Sequence, residues 1–296
     1  MSNHVQFNDV SLEIKNDSIL KNINLDLEDG KIYGLLGRNG AGKTSLLSLL
    51  AAFRPVTNGQ ITLNNETIFE NPNAMQQICF SYDKDYKEET EKVESLLKDI
   101  PFFRPNFDYD YAMELVNRFN LPLKKPLQKL STGMQSAFNV TVGLASRCPI
   151  TIFDESYLGM DAPTRDLFYR EILNEQTEHP RIFILSTHLV SEMDHLFDEV
   201  VMIQNGEMLL ADDYESLMSG AVQITGAAEQ VDDFTTGYQV LNEETLGQTK
   251  SALILTEQAD SLQQKARELG LETQQPALQD LFIHLTKEVD SHANNR

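Results

Sequence analysis

The stretch Ile32-Tyr33-Gly34-Leu35-Leu36-Gly37-Arg38-Asn39-Gly40-Ala41-Gly42-Lys43-Thr44 decides the fold. Its first five residues form a nearly unbroken apolar run, the pattern of a strand buried on both faces. The next eight fit G-x-x-x-x-G-K-[ST]. From Ala41 to about Phe53 the chain then reads as a helix, and Pro55 stops it. Glycines let the backbone wrap closely, so that successive N–H groups point inward at phosphate oxygens. The start of the helix adds partial positive charge. In this pattern Lys43 supplies full positive charge to the β- and γ-phosphates, and Thr44 offers a hydroxyl to Mg²⁺. Gly37, Arg38, Asn39, Gly40, Ala41, Gly42 and Ser45 complete the expected phosphate cradle.

Upstream, Ile23, Leu25 and Leu27 alternate with Asn24, Asp26 and Glu28, which predicts a strand with one wet face. Asp29-Gly30 is a hairpin signal. Downstream, residues 56–69 return to β patterning around Asn58-Gly59. From about 71 to 145 the character is mostly helical. Glu91–Asp99 and Asp108–Phe119 read as helices, the second with Tyr111, Leu115 and Phe119 on one face. Buried-strand candidates follow at Ile150–Phe153, Ile182–Leu185 and Val200–Ile203, the last turning back at Asn205-Gly206. Polar residues at the ends of such strands are the layout of an open, largely parallel α/β sheet, which binds ligands outside its strand ends. Beyond about Gly220 the texture changes. Ser251–Leu255 reads as a strand, Asp260 as the cap of a helix over Ser261–Leu269 with Gly270 as its stop, and Leu278, Leu281, Phe282 and Leu285 as a helical core stripe.

The chain has 296 residues, with 45 acidic against 24 basic side chains and a net charge of −21. That argues against a general nucleic-acid binder, whose affinity comes from Lys and Arg. It also argues against a polybasic membrane-surface protein. No stretch approaches the ~18 consecutive apolar residues of a membrane span. Neither a signal peptide nor a lipidation signal is legible at the ends. Cys79 and Cys148 are too few for a disulfide framework and lack metal-ligand spacing, so they read as small core residues. The expectation is a soluble, acidic, intracellular protein.

Ile150-Thr151-Ile152-Phe153-Asp154-Glu155 is the natural partner of the phosphate loop. A buried strand there delivers the Asp154 carboxylate to the Mg²⁺ side of a nucleotide, since Mg²⁺ takes oxygen ligands. Glu155, one residue on, can polarise an attacking water.

Leu130-Ser131-Thr132-Gly133-Met134-Gln135 settles the class. Here the chain resembles the ATP-binding cassette (ABC) ATPases, whose signature reads L-S-G-G-Q; Ser131, Gly133 and Gln135 match. The resemblance covers roughly residues 3–215. It implies an α/β fold: a P-loop NTPase core with a mostly parallel sheet, an N-terminal antiparallel β part, a helical insert over 71–145, and a small α+β C-terminal appendage. It implies a nucleotide-binding domain over 1–219 and an accessory or regulatory domain over 220–296. Asp161, after Gly159-Met160, matches the family's D-loop at the dimer interface. His188 resembles the switch histidine at the γ-phosphate, catalytic beside Glu155 and Lys43.

The implied cofactors are ATP and Mg²⁺. The implied partners are a separate membrane-spanning permease, docked near Tyr82–Thr90, and a second copy or close paralogue. Ser131, Gly133 and Gln135 of one chain would then face the phosphate loop of the other. The appendage ending in Ala277-Leu278-Gln279-Asp280-Leu281-Phe282 looks like subunits of bacterial ABC-2-type exporters, which move amphipathic peptides, antimicrobials or lipid-like compounds. Such a chain would sit on the cytoplasmic side of the membrane through its permease.

The sequence also departs from the family. Ile14 stands near the place of the adenine-stacking aromatic. Ser81-Tyr82-Asp83-Lys84 stands where the Q-loop Gln belongs, with Asp83 a substitute Mg²⁺ ligand. The rival readings are a non-transport ABC ATPase acting as a regulatory, nucleic-acid or translation-associated switch, and an inactive interaction module. The 87-residue interval from Thr44 to Ser131 has no sustained heptads, which counts against the coiled-coil members.

Overall fold

Ile32–Leu36 (β3), Ile150–Asp154 (β7) and Ile182–Thr187 (β8) are strands in which every residue is buried. Their β-branched and aliphatic runs have no wet face, which suits the middle of a parallel sheet. Ile78–Tyr82 (β6), Glu199–Gln204 (β9) and Glu207–Asp213 (β10) complete that sheet in the order β10-β9-β3-β8-β7-β6. The pairs β3·β8, β3·β9, β7·β8 and β6·β7 are parallel. The computed structural model describes residues 2–293. The chain divides into two units. One runs up to His188 and includes His195–Ala211; the other holds Leu189–Asp194 and the chain from Asp212 onward.

In the first unit a second, antiparallel sheet of order β2-β1-β4-β5 is built from His4–Ile14 (β1), Asp17–Glu28 (β2), Asn58–Leu63 (β4) and Glu66–Thr67 (β5). Ile23, Leu25 and Leu27 are buried and their neighbours exposed, as the alternation predicts. The Asp29-Gly30 turn is not a hairpin. It passes the chain from β2 in one sheet to β3 in the other, and the two strands do not pair. A tight turn specifies a reversal but not which sheet receives the next strand. Asn205-Gly206, in contrast, does join two neighbouring strands, β9 and β10.

Lys43–Leu50 (α1) follows β3, and Pro72–Met75 (α2) precedes β6. Val93–Asp99 (α3), Tyr109–Arg118 (α4) and Thr132–Ala145 (α5) form the insert. The stretch 71–145 is therefore not purely helical, because β6 lies inside it. At the sheet edge Phe80 and Tyr82 are only half-buried, which dilutes the apolar run that marks the central strands. Asp108 caps α4 by accepting from the Tyr111 N–H at 2.9 Å.

Ala162–Glu178 (α6) carries Glu171 and Glu175, both buried. Arg118 grips Glu171 with two bonds of 2.6 and 2.7 Å. Glu175 accepts from Arg147 at 2.9 and 2.8 Å and from Arg181 at 2.9 Å. These charge-assisted forks tie α4 and the end of α5 to α6.

The second unit contains Val190–Met193 (α7), Tyr214–Ser219 (α8), Ala221–Ala227 (β11), Ala228–Thr235 (α9), Val240–Leu246 (β12), Thr249–Leu255 (β13), Ala259–Glu268 (α10), Glu272–Gln274 (β14) and Leu278–Ala293 (α11). Its sheet has the order β12-β13-β11-β14 with antiparallel pairs throughout. With the chain order β11-α9-β12-β13-α10-β14 this is a βαββαβ plait. Val222, Ile224, Val231, Ala252, Ile254, Leu262 and Ala266 form its core. Asp260 does not cap α10. It lies in the first turn, and Gln258 precedes the helix without a side-chain cap. Leu278, Leu281 and Phe282 are buried on α11, and Leu285 is half-buried.

Candidate functional site

The strand registers place the site. Leu36 is level with Thr187, Asp154 with Ser186, and Tyr82 with Asp154. The residue after each strand is then Gly37, His188, Glu155 or Asp83. Each was a candidate from sequence, and all four emerge at one edge of one sheet.

Gly42 precedes α1 at φ 108°, a left-handed value for which glycine is the suited residue, and a Cβ there would lie 2.8 Å from the Leu20 side chain. No side chain caps α1. The N–H groups of its first turn are therefore available to an anion, aided by the helix dipole. Lys43 is buried at 6% exposure; its Nζ donates to Gly37 O at 2.7 Å and lies 4.0 Å from Glu155 Oε1. Burial lowers the Lys43 pKa below the ordinary lysine value, and the Glu155 and Asp154 charges pull it partly back.

Thr44 Oγ1 donates to Asp154 Oδ2 at 2.7 Å. Asp154 Oδ1 is buried and has no hydrogen-bond partner in the chain. A buried carboxylate oxygen left free beside a hydroxyl is a donor set that fits a hard cation such as Mg²⁺. Among the described residues no cluster of three or more His, Cys, Asp or Glu side chains could hold a metal alone. A cation here would thus keep water or phosphate oxygens as its other ligands. Glu155 adopts φ 49°, uncommon for a residue with a Cβ, and its N–H donates to Ser186 O at 3.2 Å. Its Oε1 is 3.1 Å from His188 Nδ1.

A cavity of about 630 Å³ is lined by Asn39, Gly40, Ala41, Gly42, Lys43, Thr44, Ser45, Asp83, Asp154 and Glu155, together with Ile19, Tyr82 and Leu158. The wall residues Ile19 and Leu158 were not legible as such. Ile19 lies on β2 of the other sheet, so only tertiary folding brings it to the loop. Ile14, at the end of β1, does not line the cavity.

Ser131, Gly133, Gln135 and Asp161 do not line it either. Ser131 caps α5, accepting from the Met134 N–H at 3.3 Å. Gln135 donates its amide to Leu127 O at 3.1 Å. Asp161 caps α6, accepting from the Thr164 N–H at 3.0 Å. The segments Ser131–Gln135 and Gly159–Asp161 instead pack on each other: a Cβ on Gly133 would lie 2.5 Å from Gly159 O, and Ser136 Oγ donates to Leu158 O at 2.6 Å.

Residues 20–157 match the family described as ABC transporter. The chain is 27% identical over 227 residues to the ABC transporter ATP-binding protein YtrB of Bacillus subtilis (strain 168), covering 74% of this chain and 75% of that one. It is 26% identical over 214 residues to the lantibiotic transport ATP-binding protein SrtF of Streptococcus pyogenes, covering 67% and 86%. A dimeric, post-hydrolysis ATP-binding cassette bound to ADP and Pi shares the fold, with a TM-score of 0.62 over 71% of this chain and 98% of that one at 16% identity. Residues 20–157 thus carry the match to the ABC transporter family, the similar proteins are ABC transporter ATP-binding proteins, and the fold is that of ATP-binding cassettes.

Proposed function

We propose that this chain hydrolyses ATP and so drives a separate membrane-spanning permease that exports amphipathic peptides, antimicrobials or lipid-like compounds. The observation that carries the reading is one cavity in which Lys43, Thr44, Asp83, Asp154 and Glu155 face each other beside an uncapped helix start. The loop N–H groups and Lys43 bind the β- and γ-phosphates. Thr44 and Asp154, with Asp83 nearby, hold Mg²⁺, which neutralises charge on the phosphates when bound. Glu155 orients the attacking water as general base, and His188 positions Glu155 and meets the γ-phosphate.

Ser131, Gly133, Gln135 and Asp161 act on the cavity of a second copy or close paralogue. Their absence from their own cavity supports this, as does the dimeric state of the cassette whose fold is shared. ATP closes the pair and product release opens it. No helix among the described residues is long and apolar enough to cross a membrane, so the transport path lies in the permease and the chain sits at its cytoplasmic side. A relative whose name assigns it to lantibiotic transport supports an antimicrobial cargo. Residues 220–296 serve as an accessory, regulatory domain.

Purification in mild detergent from the native cell tests the reading. A stoichiometric multi-span protein and Mg²⁺-dependent ATPase activity are expected. Recovery with ribosomes or DNA, or an inactive purified chain, refutes it.

A further inference from the structure

Glu155 and His188 carry the proposed hydrolysis, yet both side chains are partly open: the Glu155 carboxylate is 25% exposed and the His188 ring 41%. Open side chains at strand ends keep rotamer freedom, so their mutual geometry depends on the backbone from which they project. Strand pairing stops short of them. The last paired residues of β7 and β8 are Asp154 and Ser186. Past that pair Glu155 turns at φ 49°, with its N–H donated to Ser186 O at 3.2 Å.

A buried bond stands directly behind the pair. The Tyr157 hydroxyl and Thr187 Oγ1 share a hydrogen bond of 2.6 Å, and both residues are buried. Tyr157 is two residues after Glu155, and Thr187 immediately precedes His188. The bond therefore closes a ring. It runs along the chain from Glu155 to Tyr157, across to Thr187, on to His188, and back through Nδ1 to Glu155 Oε1 at 3.1 Å. The turn itself is tight, with Leu158 N–H donating to Glu155 O at 3.0 Å and Met160 N–H to Tyr157 O at 3.1 Å. From the other side Ser156 Oγ donates to Ser81 O at 2.9 Å, which ties the turn to β6. A phenylalanine would fill the space of Tyr157, so what the hydroxyl adds is the link to Thr187. Sequence offered no cue to it, because 30 positions separate the two residues.

We propose that Tyr157 and Thr187 are positioning residues for hydrolysis, their hydrogen bond holding Glu155 and His188 in the geometry at which the carboxylate orients the attacking water. This rests on the proposed role of Glu155 as general base. Neither Tyr157 nor Thr187 lines the nucleotide cavity, so both act through Glu155 and His188 rather than on the nucleotide. The phosphate loop, the Lys43 bond to Gly37 O and the Thr44 bond to Asp154 do not pass through this ring. Loss of the Tyr157–Thr187 bond should then lower turnover and spare ATP affinity. Misplacing a reacting group by 1 Å is worth on the order of 10²-fold; removing one link among several should cost about tenfold.

The experiment measures ATP turnover and ATP affinity of the full-length chain carrying Tyr157→Phe, Thr187→Val, both together, or Thr187→Ser. Tyr157→Phe is also placed on a Glu155→Gln background. Tyr157→Phe and Thr187→Val should each lower kcat about tenfold with KM within about twofold. Their combination should fall no more than about twofold below either alone, because both remove one bond. Thr187→Ser keeps the hydroxyl and should stay within about threefold of the unchanged chain. On the Glu155→Gln background Tyr157→Phe should change the residual turnover by less than about twofold. Wild-type kcat in Tyr157→Phe, a loss confined to KM, additive losses in the pair, or a further tenfold loss on the Glu155→Gln background would each overturn the proposal. Those outcomes leave the role of Glu155 standing, whereas wild-type turnover in Glu155→Gln removes both.

Discussion

His188 Nδ1 lies 3.1 Å from Glu155 Oε1, the same oxygen that stands 4.0 Å from Lys43 Nζ. Glu155 is thus held between His188 and Lys43, on a backbone at φ 49°. In the proposed mechanism this carboxylate acts on a water at the γ-phosphate and contributes little to nucleotide affinity. Glu155→Gln keeps the shape and loses the basicity. Turnover should fall roughly 10²–10⁴-fold while ATP still binds, and an ATP-bound dimer should accumulate on size exclusion. Hydrolysis at the wild-type rate would show that another group is the base.

Lys43 gives a pH signature. Burial has lowered its pKa from 10.5, so the free chain begins to lose this charge below the ordinary lysine range. Bound phosphates favour the charged form and raise the value again. The sign follows: below the lowered pKa, affinity for ATP is flat in this group. Above it, binding must take up a proton, and affinity falls by up to about tenfold per pH unit. Calorimetry in buffers of different ionisation heat reads that proton directly. Lys43→Ala should abolish the uptake along with most of the affinity.

Much of this site was legible, and for a physical reason. The phosphate loop, Asp154 and Glu155 are local: a buried strand followed at once by its functional residue, a pattern contained within a dozen positions. What sequence could not show is register. That Leu36, Asp154 and Tyr82 end level with one another is a property of β3, β7, β8 and β6 side by side, and it alone brings Asp83 to the phosphate loop. The edge strand β6 was missed because half-buried Phe80 and Tyr82 break its apolar run. The Asp29-Gly30 turn was misread because a turn does not encode the sheet its exit strand joins.

Gly133 tests the contact between the Ser131–Gln135 and Gly159–Asp161 segments. A methyl there would come within 2.5 Å of Gly159 O, a backbone atom that cannot simply rotate away. Gly133→Ala should therefore displace Gly159-Met160-Asp161. These residues do not line their own chain's cavity, so ATP affinity of the separate chain should change less than about twofold. Cooperative turnover should drop about tenfold or more, ~1.4 kcal/mol on the barrier. Loss of affinity in the isolated chain would instead mean that the contact supports its own nucleotide site.

Glu175 is the hub that joins α6 to the end of α5 and the start of β8. It is 2% exposed and receives three bonds from Arg147 and Arg181, the latter itself buried. Glu175→Gln keeps the volume but leaves buried Arg181 without its carboxylate and Arg147 with Asp108 as its remaining ion-pair partner. Breaking a buried pair from one side costs about 3–5 kcal/mol, and urea denaturation of the full chain should register a loss of that order. A double change that replaces Glu175 and Arg181 with apolar residues should recover part of it.

The last prediction concerns the proposed permease. A groove of about 300 Å³ is lined by Tyr82, Lys84, Tyr86, Glu89, Leu96 and Ile100 on one side and by Phe138 and Asn139 of α5 on the other. Asn139 accepts from the Tyr86 hydroxyl and donates to Tyr82 O at 3.4 Å, so these bonds tie α5 to the end of β6 and the loop after it. Phe102 and Phe103, just beyond Ile100, are 83% and 78% exposed. Two exposed aromatics beside an apolar groove are the residue type that anchors protein interfaces. Replacing both with Ser removes apolar surface without touching the nucleotide cavity. Co-purification of the permease should fall at least tenfold, about 1.4 kcal/mol, while ATPase activity of the free chain stays within twofold. Crosslinks to the permease that map only to residues 220–296 would sink this placement.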